Sequence, residues 1–159
     1  MKIGLVALSG VALFLLVVIS RPTDLGVPPE ISSQGFVPVS IEMNGSDMVL
    51  TGGCRSISMT ISEHQAISIA SGLNKEFYIR PLTHDLMRDV FENYGIELAA
   101  ARIDSFTDGV YTAKIYVRKD SKILEMDARP TDAVGLALRM DVPVYFNEEL
   151  LGINGEKTC

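Results

Sequence analysis

The sequence predicts one α+β domain, a mixed and largely antiparallel sheet with about three helices, preceded by one N-terminal transmembrane or signal segment. Three observations predict it. Short runs of alternating apolar residues are separated by Asn44-Gly45, Gly52-Gly53 and Asp108-Gly109, dipeptides that supply the positive φ of tight turns. Three other stretches repeat apolar residues three and four apart, the spacing of a helix with one buried face. The chain has 159 residues, enough for one ordinary core and too few for two.

Ile3 to Ile19 are 17 uncharged residues behind Lys2. As a helix they would span about 26 Å, the short limit of a bilayer crossing. Residues 1–20 are therefore read as an uncleaved membrane anchor or, with Val18-Ile19-Ser20 as a weak cleavage site, as a signal peptide. Either reading places the remainder outside the cytoplasm if the amino end stays inside, membrane-anchored in the first case and secreted in the second. Residues 21–35 hold three prolines, two glycines and two serines, the composition of an extended linker. The folded domain is expected over 36–151, with a polar tail over 152–159.

Within it, Val37, Val39, Ile41 and Met43 alternate as a strand, Met48 to Thr51 form a second, and Ile57, Met59 and Ile61 a third. Ser62 and Gln65 form a capping box that opens a helix carrying Ala66, Ile69, Ala70 and Leu73 on one face, ended by Asn74 or Gly72. A second helix starts at Thr83, gathers Leu86, Val90 and Phe91 on one side and stops at Gly95. Ile96 to Phe106 and Val110 to Val117 flank Asp108-Gly109 as a hairpin, and Ile123 to Ala128 continue it. Thr131 to Arg139 form a third helix, Val142 to Phe146 a last strand, and Glu148 to Leu151 one helical turn.

Of the 14 cations only Lys2 precedes Arg21, and all 20 carboxylates follow it, so residues 21–159 carry −7. That excludes a protein gripping nucleic acid through bulk positive charge; any polyanion site must be local. Two cysteines exclude a disulfide scaffold and a four-cysteine zinc site. Cys54 and Cys159 are compatible with one disulfide outside the cytoplasm or with two free thiols. Tyr111 and Tyr116 point to opposite faces of one strand, so at most one can stack on a base.

The most informative local pattern occurs twice: Arg80-Pro81-Leu82-Thr83-His84-Asp85 and Arg129-Pro130-Thr131-Asp132. Proline fixes φ and keeps the preceding Arg out of helical conformation, so each Arg stands at a rigid corner before a helix N-terminus. Free amides, a planar guanidinium and a nearby Asp suit a phosphate oxygen, a divalent metal, or both. The plainer alternative is that Thr and Asp cap the helices and the arginines pair with Asp132 or Asp85.

RPLTHDLMRDVFENYG, the segment from Ile103-Asp104 to Asp108-Gly109-Val110-Tyr111-Thr112-Ala113, and MDARPTDAVGLALRMDVPVYF resemble the bifunctional nuclease domain family, also called the DNase-RNase domain. The resemblance runs from about Val37 to Leu151. Thr131 stands where the family usually has Ser, and Glu63-His64-Gln65-Ala66 departs slightly from its Glu-then-Ala pattern. It implies a compact α+β domain, often a homo-oligomer, acting on DNA and RNA. Phosphodiester hydrolysis needs an activated water and charge relief at phosphorus, commonly through Mg²⁺ or Mn²⁺ on carboxylates. The expected metal ligands are Asp85, Asp127 and Asp132, with Glu63 as a fourth. His84 is the expected general acid or base, with Asp85 and Asp132 catalytic beside it. Arg80, Arg129 and Arg139, with Thr83 and Thr131, are expected to bind substrate phosphate. The alternative is a non-catalytic module that holds a phosphorylated ligand or nucleic acid.

Overall fold

The structure is a computed structural model that describes residues 31–159. The Ile3–Ile19 run and most of the linker lie outside the described residues. Among those described, no helix is long and apolar enough to cross a membrane.

Twelve elements follow in order: β1 (Phe36–Asn44), β2 (Asp47–Gly52), β3 (Arg55–Thr60), α1 (Glu63–Asn74), α2 (Thr83–Tyr94), β4 (Glu97–Thr107), β5 (Val110–Lys119), β6 (Lys122–Ala128), α3 (Pro130–Arg139), β7 (Val144–Asn147), α4 (Glu148–Asn154) and β8 (Glu156–Lys157). The strands form one sheet in the order β6-β5-β4-β7-β1-β2-β3-β8. Every pairing is antiparallel except β4 with β7. The α+β class and the mostly antiparallel sheet are thus as the sequence predicts, with four helices in place of about three.

Alternation decides which strand residues face the helices. In β2, Met48 and Leu50 are fully buried while their neighbours are half-exposed, and Ile57 of β3 joins them. Ile69 of α1, Phe91 of α2 and Val134 and Leu136 of α3 close over this face, with Ile103, Val144 and Phe146 beneath. Each fully buried side chain of this size contributes about 1.5–3 kcal/mol. A register shift in β4 between Leu98 and Ala100 sends Leu98, Ala101 and Ile103 to this core and turns Ala100 to the opposite face. There, Ala100 and Tyr116 are covered by Ile31. Arg102 lies between the Phe36 and Tyr116 rings, 4.5 and 4.3 Å from their centroids, and donates to the Ser32 carbonyl and the Tyr116 hydroxyl. Ile31 and the Ser32 carbonyl, read from composition as linker, are therefore held against the sheet, while residues 32–35 are exposed.

Helix α1 is opened by the Ser62/Gln65 capping box and ends at Asn74, with Lys75 in the left-handed conformation as its C-cap. Two local expectations are corrected. In α2 the buried residues are Asp85 and Phe91, whereas Leu86 and Val90 are exposed, because a buried arginine on α3 receives Asp85. Gly95 ends α2 at φ 62° as expected, a conformation that disfavours a β-carbon. The expected polar tail instead continues α4 to Asn154, adds β8 against β3, and closes a disulfide between Cys54 and Cys159.

That disulfide spans 105 residues. Replacing both cysteines with serine should lower unfolding free energy by about 2–4 kcal/mol in chemical denaturation, since a long closed loop restricts the unfolded chain. Equal midpoints for the oxidised wild type and the double variant would refute this.

Candidate active site

The two Arg-Pro corners meet through the residues that follow them. Pro130 occupies the first turn of α3 and makes Arg129 its N-cap, which supplies no side-chain acceptor. Leu82 is the N-cap of α2, and its N–H donates to Asp85 Oδ2 at 2.8 Å. Neither Thr83 nor Thr131 is therefore the N-cap residue. Thr83 is exposed, while Thr131 is buried and its hydroxyl accepts from Gln65 Nε2 of α1 at 2.9 Å.

Asp132 ties the corners together. Its Oδ2 accepts from Arg129 Nε at 2.8 Å, and its Oδ1 lies 3.6 Å from Nε2 of His84. The other ring nitrogen of His84, Nδ1, is 2.9 Å from the Ser68 hydroxyl of α1. The ring rests on α3 where Gly135 has no side chain; a β-carbon there would stand 2.8–3.0 Å from three imidazole atoms. Burial holds the His84 pKa below its ordinary 6.5, the Arg139 charge lowers it further, and Asp132 and Asp85 oppose both. The imidazole is accordingly neutral near pH 7.

Below this chain lies a second ion pair. Arg139 Nε donates to Asp85 Oδ1 at 2.5 Å with both side chains almost wholly buried, and Arg139 Nη1 donates to the carbonyls of Ser68 and Gly135. Burial alone would raise the Asp85 pKa, but the Arg139 hydrogen bond, the Leu82 N–H and the Arg139 and Arg88 charges outweigh it, and the carboxyl is held below the usual range. Asp85 and Arg139 thus neutralise each other in the interior, and Arg139 Nη2 is buried without a hydrogen-bond partner.

Beside the corner at Arg129 opens a cleft of about 480 Å³. Gln65, Arg129 and Thr131 line one side, and Tyr111 and Val110 of the β4–β5 hairpin another. The Tyr111 ring packs 4.4 Å from Phe106 and 5.7 Å from Phe146, centroid to centroid. Tyr116 is buried on the opposite face of the sheet, so the parity argument leaves Tyr111 as the aromatic at the cleft.

Of the ten residues singled out from the sequence, His84, Asp132, Arg129 and Thr131 come together at this corner, and Asp85 with Arg139 lies immediately inward. Arg80 is exposed on the segment leading into α2, Glu63 is exposed at the first position of α1, and Asp127 is exposed on β6. The four carboxylates do not form one cage: among the described residues no three His, Cys, Asp or Glu side chains are grouped to hold a metal ion. Asp85 spends both oxygens on Arg139 and Leu82, and Asp132 faces Arg129 and His84. Ser68 and Gln65 were not anticipated; their signal is their spacing, since Gln65 and Ser68 share the α1 face that meets α3 and His84.

Comparison with known proteins decides the family. The model of the bifunctional nuclease domain matches residues 48–158, more than half of the chain. The chain belongs to the bifunctional nuclease domain family. Uncharacterized protein Rv1829 of Mycobacterium tuberculosis is 35% identical over 103 residues, covering 65% of this chain and 61% of that protein. Bifunctional nuclease 1 of Oryza sativa subsp. indica is 24% identical over 117 residues, covering 72% of this chain and 33% of its own length. Bifunctional nuclease 2 of Arabidopsis thaliana is 24% identical over 102 residues, covering 62% and 31%. The chain thus spans about three fifths of the mycobacterial protein it matches and about a third of the plant ones. The matched region of this bifunctional nuclease domain contains both Arg-Pro corners, the cleft and Cys54, and the disulfide partner Cys159 lies one residue beyond it.

Proposed function

We propose that the protein is a nuclease that hydrolyses phosphodiester bonds of DNA and RNA at the Arg129 corner. The observation that carries this is the chain Arg129–Asp132–His84 standing beside a cleft lined by Arg129 and Tyr111. Arg129 is the residue to receive a phosphate oxygen, and its exposed guanidinium keeps donors beyond the one held by Asp132. Tyr111 offers a face to a base. In the hydrolytic step a water oxygen bonds to phosphorus, the phosphorus–oxygen ester bond breaks, the Asp132–His84 pair takes the proton of the water, and the leaving oxygen is protonated from solvent. The names of the plant relatives support this substrate class. A divalent ion, Mg²⁺ or Mn²⁺, belongs to the proposal as one carried by the substrate phosphates and water, a common mode for Mg²⁺.

The disulfide supports work outside the cytoplasm, with residues 1–20 as anchor or cleaved signal. The exposed stripe Leu86, Val90 and Tyr94 on α2 supports a homo-oligomer. The second reading, a module that binds a phosphorylated ligand or nucleic acid without turnover, is favoured by the mutual pairing of Arg129 and Asp132.

Purified full-length protein should cleave single-stranded DNA and RNA oligonucleotides with Mg²⁺ or Mn²⁺, and EDTA should stop it. Arg129→Ala should weaken substrate binding about tenfold through loss of a charge-assisted contact. Binding without cleavage under every metal condition would reject the nuclease in favour of the module, and activity in EDTA would remove the metal from the proposal.

A further inference from the structure

We propose that Ser68 is a positioning residue whose hydroxyl donates to Nδ1 of His84, fixes the imidazole as the Nε2–H tautomer, and aims that N–H at Asp132. The inference rests on the reading of Asp132 and His84 as the reacting pair.

Two independent arguments set the direction of the hydrogen bond. The Ser68 side chain is buried, and its hydroxyl has His84 Nδ1, at 2.9 Å, as its hydrogen-bond partner. If the serine accepted from an Nδ1–H, its own proton would be buried with nowhere to go, a costly arrangement. At the opposite edge of the ring the Asp132 carboxylate lies 3.6 Å from Nε2. An unprotonated Nε2 would direct a lone pair at an anion, whereas Nε2–H directs a donor at it. Both edges therefore select the same tautomer.

The placement of Ser68 is itself built. Its carbonyl accepts from Arg139 Nη1, so the guanidinium that neutralises Asp85 also anchors the α1 turn carrying Ser68. Gly135 leaves the space in which the ring lies flat on α3. The charged groups facing the imidazole are Asp132 and Arg139 from α3 and Asp85 from α2. Ser68 is too buried to act as a nucleophile on a polynucleotide. A ring with its proton on Nε2 and its Nδ1 lone pair held by Ser68 has no free site for a water proton, which leaves the Asp132 carboxylate as the acceptor of the pair.

The test is long-range ¹H–¹⁵N correlation on ¹⁵N-labelled full-length protein at neutral pH, with exposed His64 as internal reference. Wild type should show His84 with a protonated Nε2 and an unprotonated Nδ1. Ser68→Ala should convert this to a mixture of tautomers, and Ser68→Thr should restore the wild-type pattern. Ser68→Ala should also reduce kcat about tenfold with KM nearly unchanged. A protonated Nδ1 in the wild type, or an unchanged tautomer in Ser68→Ala with its fold intact by amide fingerprint, would overturn the proposal. The expected tautomers in a protein that never cleaves nucleic acid would instead reject the nuclease reading and leave the hydrogen-bond assignment standing.

Discussion

Replacing Arg139 with alanine should destabilise the domain by about 3–5 kcal/mol, because it strands an ionised carboxylate where water does not reach. The Asp85 and Arg139 side chains are only 6% and 3% exposed, and their contact is 2.5 Å. Arg88, the other cation near Asp85, is held by Asp89; Asp85 Oδ2 already accepts from Leu82, and the Ser68 and Gly135 carbonyls would lose a side-chain donor as well. The double variant Asp85→Leu, Arg139→Met should recover much of the loss, since two apolar side chains of similar volume avoid the cost of burying charge. Urea denaturation of the four proteins measures the coupling; an Arg139→Ala domain within about 1 kcal/mol of wild type would refute the buried pair. The pH dependence has a definite sign. The folded Asp85 pKa lies below its ordinary value of 3.8, so the pair's contribution is complete above that value and is lost as pH falls through the folded value. Asp85→Asn should therefore be less stable at neutral pH and lose less stability on acidification than wild type.

Asp132→Asn and His84→Ala should each lower turnover by about 10²- to 10⁴-fold, the span of a lost proton-transfer group. Their combination should cost little more than the larger single change, because the two side chains act as one unit across 3.6 Å. Asp132 is partly exposed and held by an exposed arginine, so Asp132→Asn should leave the denaturation midpoint nearly unchanged. Initial rates on a labelled single-stranded oligonucleotide check this. Full activity in both single variants would move the reaction elsewhere on the molecule.

Much of this architecture is written locally. The Asn44-Gly45 and Asp108-Gly109 turns, the Ser62/Gln65 capping box and the stop at Gly95 each depend on a few adjacent residues, and each element they bound is present. The repeated Arg-Pro pattern likewise pointed to His84 and Asp132, and they meet. What was not legible depends on distant partners. Periodicity assigns Leu86 and Val90 to the buried face of α2, yet Asp85 goes inward because Arg139, 54 residues away, is there to receive it. Ser68 carries no local mark of its contact with His84. The two residues of β8 have no strand periodicity to read, and their pairing with β3 accompanies a disulfide 105 residues long.

The sheet is two antiparallel blocks joined where β4 and β7 run parallel, and β7 comes from residues 144–147, near the end of the chain. As the polypeptide emerges from the ribosome, β1 and β4 therefore wait with bare edges until residues 144–147 are made, and Cys54 waits for a partner 105 residues further on. The nascent form with these edges open is the stage at which aggregation, proteolysis and chaperone capture compete with the native state.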